Sequence, residues 1–279
     1  VLVTARTPAP HPYEHVNQRW RHFAVDNTAW IEELKKLADG CDWIVNCLGA
    51  TKPLMAESFA RYVNASLPEV LAGLGPPTIH AGTDCVFDGT RKRASPPTEA
   101  TKPDAQDTYG QTKAIGDAAT AFVLRTSIVG PEVRPEPRYL LGKVVSGQVS
   151  RGYRNHLWNG ITTLAWAEMA LAIMDSGGAL LAHRLLHLVP STHGSKETLI
   201  RRIVREFRVP NVEVESVSTE APIDTRLATG HIGVVEALWC AAGYDGVPTI
   251  EELVWELADF CRVEQWPPPG VEGWKYWRR

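Results

Sequence analysis

The chain has 279 residues, more than the roughly 100–200 of a typical domain, so it accommodates one large domain or two lobes. Hydrophobic residues make up 44% and charged residues 22%, which supplies core material, and Lys+Arg 29 against Asp+Glu 32 leaves a net charge of −3. A nucleic-acid-coating protein is excluded by the absent basic surplus, and no apolar stretch approaches the roughly 20 residues that span a bilayer. Nor does Val1-Leu2-Val3-Thr4, followed at once by Arg6 and prolines, read as a signal peptide, so a cytoplasmic protein is expected. The five cysteines (Cys41, Cys47, Cys85, Cys240, Cys261) are odd in number and lack a C-x-x-C pair, which predicts free thiols in a reducing compartment.

In chain order, Val1–Ala5 is an apolar, β-branched strand candidate and Arg21–Val25 a weaker one. Asn27 or Thr28 can cap a helix that carries Glu32 and Glu33 in its first turn, Leu34, Leu37 and Ala38 on its apolar face, and Gly40 as its stop. Cys41–Leu48 is a continuous apolar run of the kind a buried parallel strand shows. A helix is predicted over Met55–Leu74, a strand over Thr78–Ala81, a polar loop over Thr90–Asp107, a helix over Thr108–Ala121 and a strand over Phe122–Thr126. Alternating strands and helices imply right-handed crossovers and a parallel sheet covered on both faces. Further helices are expected near Thr163–Met174, Ser195–Phe207, Gly233–Ala242 and Ile250–Cys261, with strand-like pieces at Leu185–Leu188 and Val212–Val217. The tail Trp266–Arg279 holds three consecutive prolines and three tryptophans, suited to covering the protein's own surface or a subunit contact.

The strongest chemical signal is Tyr109-Gly110-Gln111-Thr112-Lys113, where Tyr109 and Lys113 share one helix face. An ammonium one turn from a phenol favours the phenolate and makes the tyrosine usable as a general acid–base near neutrality. Taken alone, the same spacing describes a surface tyrosine beside a solvated lysine. Upstream, Thr78–Ala81 runs into Gly82-Thr83-Asp84-Cys85-Val86-Phe87-Asp88-Gly89, which places a hydroxyl and a carboxylate at the carboxyl end of a parallel strand, where open α/β sheets bind ligands. The nine histidines show no metal-binding spacing, since Pro12 interrupts His11 and His15, so no metal site is expected.

With these segments in order the chain resembles the extended short-chain dehydrogenase/reductase superfamily, and within it the dTDP-4-dehydrorhamnose reductase group. The residues that carry the resemblance are Asp42–Ala50, Val63-Asn64-Ala65, His80–Gly89, Glu99…Pro103…Tyr109–Lys113, Leu124–Gly130, Trp158–Thr163 and Ala221–Leu227. The resemblance implies a Rossmann-like α/β fold, a doubly wound parallel sheet with a smaller mixed C-terminal substrate lobe. It implies Thr83, Tyr109 and Lys113 as a catalytic triad with Asp84 polarising or protonating, and a cofactor wall of Asn46, Leu48, Gly49, Ala50, Thr126, Ser127 and Ile128 beside Lys113, which holds the ribose. Asn64, Val86, Phe87, Trp158, Asn159 and Arg226 fall on the substrate side, although Trp158 suits a core position equally well. Arg6 stands where the superfamily contacts the adenosine ribose, and a guanidinium there suits a 2′-phosphate, so NADPH is expected in preference to NAD.

Two departures stand out. Cys85 occupies the tyrosine position of the group's T-D-Y-V-F-D-G segment, and no glycine-rich dinucleotide loop occurs anywhere. Pro8, Pro10 and Pro12 forbid an early helix after Val1–Ala5, so that segment is read as a second strand, with the first βα unit outside the sequence. The expected organisation is a cofactor domain over 1–150, a lobe over 151–262 mainly for substrate with segments returning to the first domain, and a tail over 263–279. The expected activity is NADPH-dependent reduction of a nucleotide-activated 4-keto-sugar. The alternatives are an epimerase or dehydratase of the same superfamily, or a non-catalytic binding or regulatory homologue. A nucleotide sugar is the expected partner and a homodimer the candidate assembly, with no nucleic acid and no membrane.

Overall fold

In a computed structural model the described residues are 2–5, 19–22, 30–51, 56–120, 122–132, 137–181 and 183–264. Arg6, the early prolines and the tail tryptophans lie outside them. The elements of the first half are β1 (Leu2–Ala5), β2 (Arg19–His22), α1 (Trp30–Ala38), β3 (Ile44–Asn46), α2 (Glu57–Arg61), a π-helical turn (Tyr62–Ser66), α3 (Leu67–Ala72), β4 (Thr78–Thr83), a 3₁₀ turn (Asp84–Val86), α4 (Thr108–Ala119) and β5 (Phe122–Thr126). Then come β6 (Ile128–Val129), α5 (Leu140–Val145), β7 (Arg151–Tyr153), β8 (His156–Trp158), β9 (Ile161–Thr162), α6 (Thr163–Asp175), β10 (Leu185–His187), β11 (Gly194–Ser195), α7 (Lys196–Glu206), β12 (Glu215–Val217), β13 (Ile223–Asp224), α8 (Ile232–Ala241) and α9 (Ile250–Val263). No helix among the described residues is long and apolar enough to cross a membrane.

The main sheet is parallel throughout, in the order β10-β5-β4-β3, while β1 and β2 form a separate parallel pair. This is the expected α/β class, with the later β10 completing the sheet. Helix caps follow the local chemistry: Asp107 accepts from the Gly110 N–H at 2.9 Å to start α4, and Thr249 with Glu252 forms a reciprocal box at the start of α9. Ile79, Leu124 and Leu186 from the sheet pack with Met169 and Ile173 of α6 and Leu238 and Trp239 of α8. Trp30 and Leu34 of α1 pack with Leu67 and Leu71 of α3 in a separate cluster. A further cluster joins α5, α7 and α9 around Trp158.

Two expectations change. The run Cys41–Leu48 yields only a three-residue strand, with Val45 39% and Leu48 41% exposed, because the chain turns after Asn46 to line a cleft. The helix expected over Met55–Leu74 contains a π-helical turn ahead of Pro68, which has no N–H to continue regular helical bonding.

Tyr244 packs edge-on against Trp239, and its hydroxyl lies 2.6 Å from Glu168 Oε2 and 2.7 Å from Glu256 Oε2. One phenol donates one proton, so the second carboxyl must supply its own. Burial raises the Glu256 pKa, the Tyr244 hydrogen bond opposes that rise and the Glu168 charge adds to it. A carboxyl whose folded pKa is raised stabilises the fold below the ordinary glutamate range and loses that contribution as pH rises through the folded value. Glu256→Gln carries its proton at all pH, so it is expected to raise Tm by about 2 °C at neutral pH and to change nothing in mild acid, as measured by thermal melts.

Candidate active site

The cleft opens at the carboxyl ends of β3, β4 and β5. It has a volume of about 720 Å³, and its apolar walls include Val45, Leu48, Ile128, Leu141 and Trp166. Thr83, Tyr109 and Lys113 all line it, together with Leu48, Gly49, Thr126 and Ile128 of the sequence-predicted cofactor wall. Thr83 ends β4 and caps the 3₁₀ turn: its hydroxyl accepts from the Cys85 N–H at 3.3 Å and donates to Asp84 Oδ1 at 3.2 Å. Tyr109 stands in the first turn of α4. Gly110 lets that turn approach, since a Cβ there would lie 2.2 Å from the Cys85 carbonyl oxygen.

The electrostatics differ from the sequence expectation. The Tyr109 pKa is raised by burial and by Cys85, Asp84 and Asp117, with a Thr83 hydrogen bond opposing. The Lys113 amine is engaged away from the phenol. The amine donates to the Ala81 carbonyl at 2.7 Å and lies 3.0 Å from His80 Nε2, and its own pKa is lowered by burial against the opposing charge of Asp117. The site therefore holds a protonated phenol, suited to donating a proton.

Several of the expected site residues make structural contacts. Asn64 is fully buried; its Oδ1 accepts from Ala50 N at 2.8 Å and its Nδ2 donates to Ala50 O and Thr112 Oγ1, so it braces the Ala50 loop. Val86 and Phe87 are buried against Leu227 because the chain folds inward directly after the 3₁₀ turn. Asn159 clamps Leu227 through both its backbone groups, at 2.7 and 2.9 Å, and Arg226 is held by Asp224 at 2.7 Å. Trp158 is a core residue whose Nε1 donates to Ser127 Oγ at 2.6 Å, and Ser127 stands outside the cleft lining. Ala50 and Asn46 are buried behind that wall, Asn46 accepting from the Leu48 N–H at 3.1 Å. Asp84 is buried beside Thr83 and outside the cleft lining.

Sequence reasoning missed a buried polar chain beneath the cleft. Lys113 meets His80; Asp117 Oδ1 lies 3.6 Å from His80 Nε2; Asp117 Oδ2 accepts from Arg125 at 2.8 Å; Arg125 Nη1 donates to His187 Nε2 at 3.1 Å. His187 Nδ1 then donates to the Ala228 carbonyl, and Glu99 accepts from His187 N, Thr229 Oγ1 and Gly230 N. The only sequence signal was polar residues inside apolar strands, His80 in β4 and Arg125 in β5. Lys196 was also missed: its ammonium lies 4.9 Å from the centre of the Trp158 ring, and its pKa is lowered by burial against the opposing charges of Asp84 and Cys85.

A family model described as the RmlD substrate binding domain matches residues 20–226. A dTDP-4-dehydrorhamnose reductase structure from Clostridium acetobutylicum is 18% identical and superposes with a TM-score of 0.69 over 94% of this chain and 99% of that one. One from Bacillus anthracis, in complex with NADP, is 17% identical, with a TM-score of 0.64 over 86% and 89%. A UDP-glucose 4-epimerase from Thermotoga maritima, with UDP-glucose, is 10% identical with a TM-score of 0.69 over 95% and 91%. No curated protein sequence matches. At these identities the likeness to solved structures establishes the fold, and the family model covers most of the chain.

Proposed function

This chain belongs to the family of the RmlD substrate-binding domain, and from that membership we propose that it reduces a nucleotide-activated 4-keto-sugar at the expense of NADPH. One observation carries the reading: Thr83, Tyr109 and Lys113 line a single cleft at the carboxyl ends of parallel strands. The residues present suit the nicotinamide end of such a cofactor. Leu48, Gly49, Thr126 and Ile128 offer an apolar slot, and Lys113 offers the one cationic donor head in the cleft lining among the described residues. When bound, the reduced nicotinamide supplies a hydride to the keto carbon.

The protein's own part is proton delivery and orientation. Tyr109 gives its phenolic proton to the oxygen that becomes the alcohol, and its raised pKa keeps that proton in place until a stronger base, the developing alkoxide, appears. Thr83 turns its hydroxyl proton from Asp84 Oδ1 to the same oxygen and fixes its direction, while Lys113 holds the ribose hydroxyls. The preference for NADPH over NADH rests on Arg6 following β1.

Spectrophotometry of NADPH consumption with dTDP-4-dehydrorhamnose tests the reading. Consumption matched by formation of the alcohol is the expected result, with NADH slower. A folded protein that binds neither nicotinamide nucleotide is a binding or regulatory homologue, and the reductase reading falls.

A further inference from the structure

Lys196 begins α7 immediately after β11, and β11 runs antiparallel to β8 with Gly194 opposite Trp158. The Ser195 hydroxyl accepts from the Thr198 N–H at 3.1 Å and fixes that corner, so the lysine stem turns back over the Trp158 ring. Trp158 holds its place, because it is buried and its indole N–H is spent on Ser127. The ammonium rests 4.9 Å from the ring centre and makes no hydrogen bond or ion pair among the described residues. It has three donors to offer. The opposing charges that favour it are Asp84 and Cys85, and both also bear on Tyr109. Asp84 is buried, and no cation stands in ion-pair contact with it among the described residues; its Oδ1 takes the Thr83 O–H at 3.2 Å and the Cys85 S–H at 3.7 Å. Cys85 is exposed, so solvent reaches the side of the site where Asp84, Tyr109 and Lys196 meet.

We infer that Lys196 is a specificity-determining residue of the substrate site, and that with Asp84 it brackets the sugar hydroxyl on the carbon next to the keto group. The inference rests on the reductase reading and deepens it. Proton counting supplies the reason. The Thr83 hydroxyl has one proton, and in the proposed reaction that proton turns to the keto oxygen. Asp84 Oδ1 is then left with the Cys85 thiol, a weak donor, and a buried carboxylate short of a donor is costly. A hydroxyl beside the carbonyl replaces the lost proton, and its oxygen keeps lone pairs for the Lys196 ammonium. Asp84 follows Thr83 directly in the chain, which places the bracketed group next to the carbonyl. A phosphate also suits an ammonium, but the Asp84 carboxylate repels it, whereas a hydroxyl satisfies both partners. Sequence spacing gave no hint of this, because Lys196 lies more than a hundred residues from Asp84 and reaches it through the β8–β11 pairing.

The test crosses Lys196→Met with removal of the hydroxyl. Methionine keeps an unbranched stem over Trp158 and removes the three donors. The ligands are dTDP-4-dehydrorhamnose and its 3-deoxy analogue for turnover, and the corresponding 4-alcohols for calorimetric binding without cofactor. Lys196→Met is expected to weaken binding of the hydroxyl-bearing alcohol by about tenfold and to lower its partner's kcat/KM by about 10–100-fold. With the 3-deoxy compounds the same substitution should change either quantity less than about twofold, a coupling that a merely structural lysine does not produce. Equal losses on both ligands, or no loss on either, overturn the inference. Lys196→Leu carries the same comparison if the methionine variant does not fold. Turnover that ignores Lys196 overturns the inference alone, whereas Lys196-dependent preference for the hydroxyl in a protein that reduces neither ketone overturns the reductase reading alone. A wild type that binds neither alcohol and reduces neither ketone overturns both.

Discussion

Replacing Tyr109 by Phe is expected to lower kcat by about 10²–10⁴-fold while leaving NADPH affinity within about twofold. The phenol is the proton donor of the proposed reaction, and phenylalanine keeps the ring in the first turn of α4 while removing only that proton. The cofactor wall of Leu48, Gly49, Thr126 and Ile128 is untouched by the change, and so is the Lys113 amine held by Ala81 and His80. Single-turnover kinetics with pre-bound NADPH separate the chemical step from binding. Unchanged turnover would assign the proton to another group. The pH profile carries a second expectation. Because burial raises the Tyr109 pKa, the donor stays protonated through neutral and moderately alkaline pH, and kcat should show no alkaline loss from this group below about pH 10.

That expectation reverses what the spacing of Tyr109 and Lys113 suggested, and the reversal shows what a sequence can carry. Residues four apart on a helix do share a face, and Thr83, Tyr109 and Lys113 do meet in one cleft. Spacing along α4 says nothing about what waits on the neighbouring strand. His80 and the Ala81 carbonyl engage the amine first, so the charge expected beside the phenol is engaged elsewhere. Strand and helix order was legible because apolar runs and caps are local: β5 falls on Phe122–Thr126 as expected, and α6 begins at Thr163 behind its Thr162 cap. The ends of elements were less so. β3 stops at Asn46 because its side chain is spent on Leu48 N and His80, a contact between segments 34 residues apart. The substrate-side set shows a related limit. Asn64, Phe87, Trp158 and Asn159 are polar or aromatic residues near the site in sequence, and burial, which decides whether such groups face a ligand or a neighbour, belongs to the fold as a whole. Arg125, Asp117 and His187 left almost no signal, since one polar residue in a strand reads the same whether it is exposed or paired.

The Asp117–Arg125 pair is where stability and site meet, and breaking it is expected to be costly. Both side chains are 3% exposed; Arg125 Nε and Nη2 donate to Asp117 Oδ2 at 3.1 and 2.8 Å, and Nη1 donates to His187. Asp117→Ala leaves a buried guanidinium with a neutral imidazole as its remaining side-chain hydrogen-bond partner and with Lys113 nearby, and it should destabilise the fold by about 3–5 kcal/mol in urea unfolding. Replacing both partners removes the stranded charge along with the pair. The double change Asp117→Leu, Arg125→Met fills similar volume with apolar atoms and should recover most of that loss, because two desolvated ions are weak net stabilisers. A double variant as unstable as the single one would mean that the geometry Arg125 imposes between β5 and β10, through His187, matters more than its charge. The single variant should also lower turnover by more than the fraction unfolded explains. Asp117 is the charge behind His80, so its loss removes the negative potential that opposes the lowering of the Lys113 pKa, and the two effects separate when activity is corrected for the folded population.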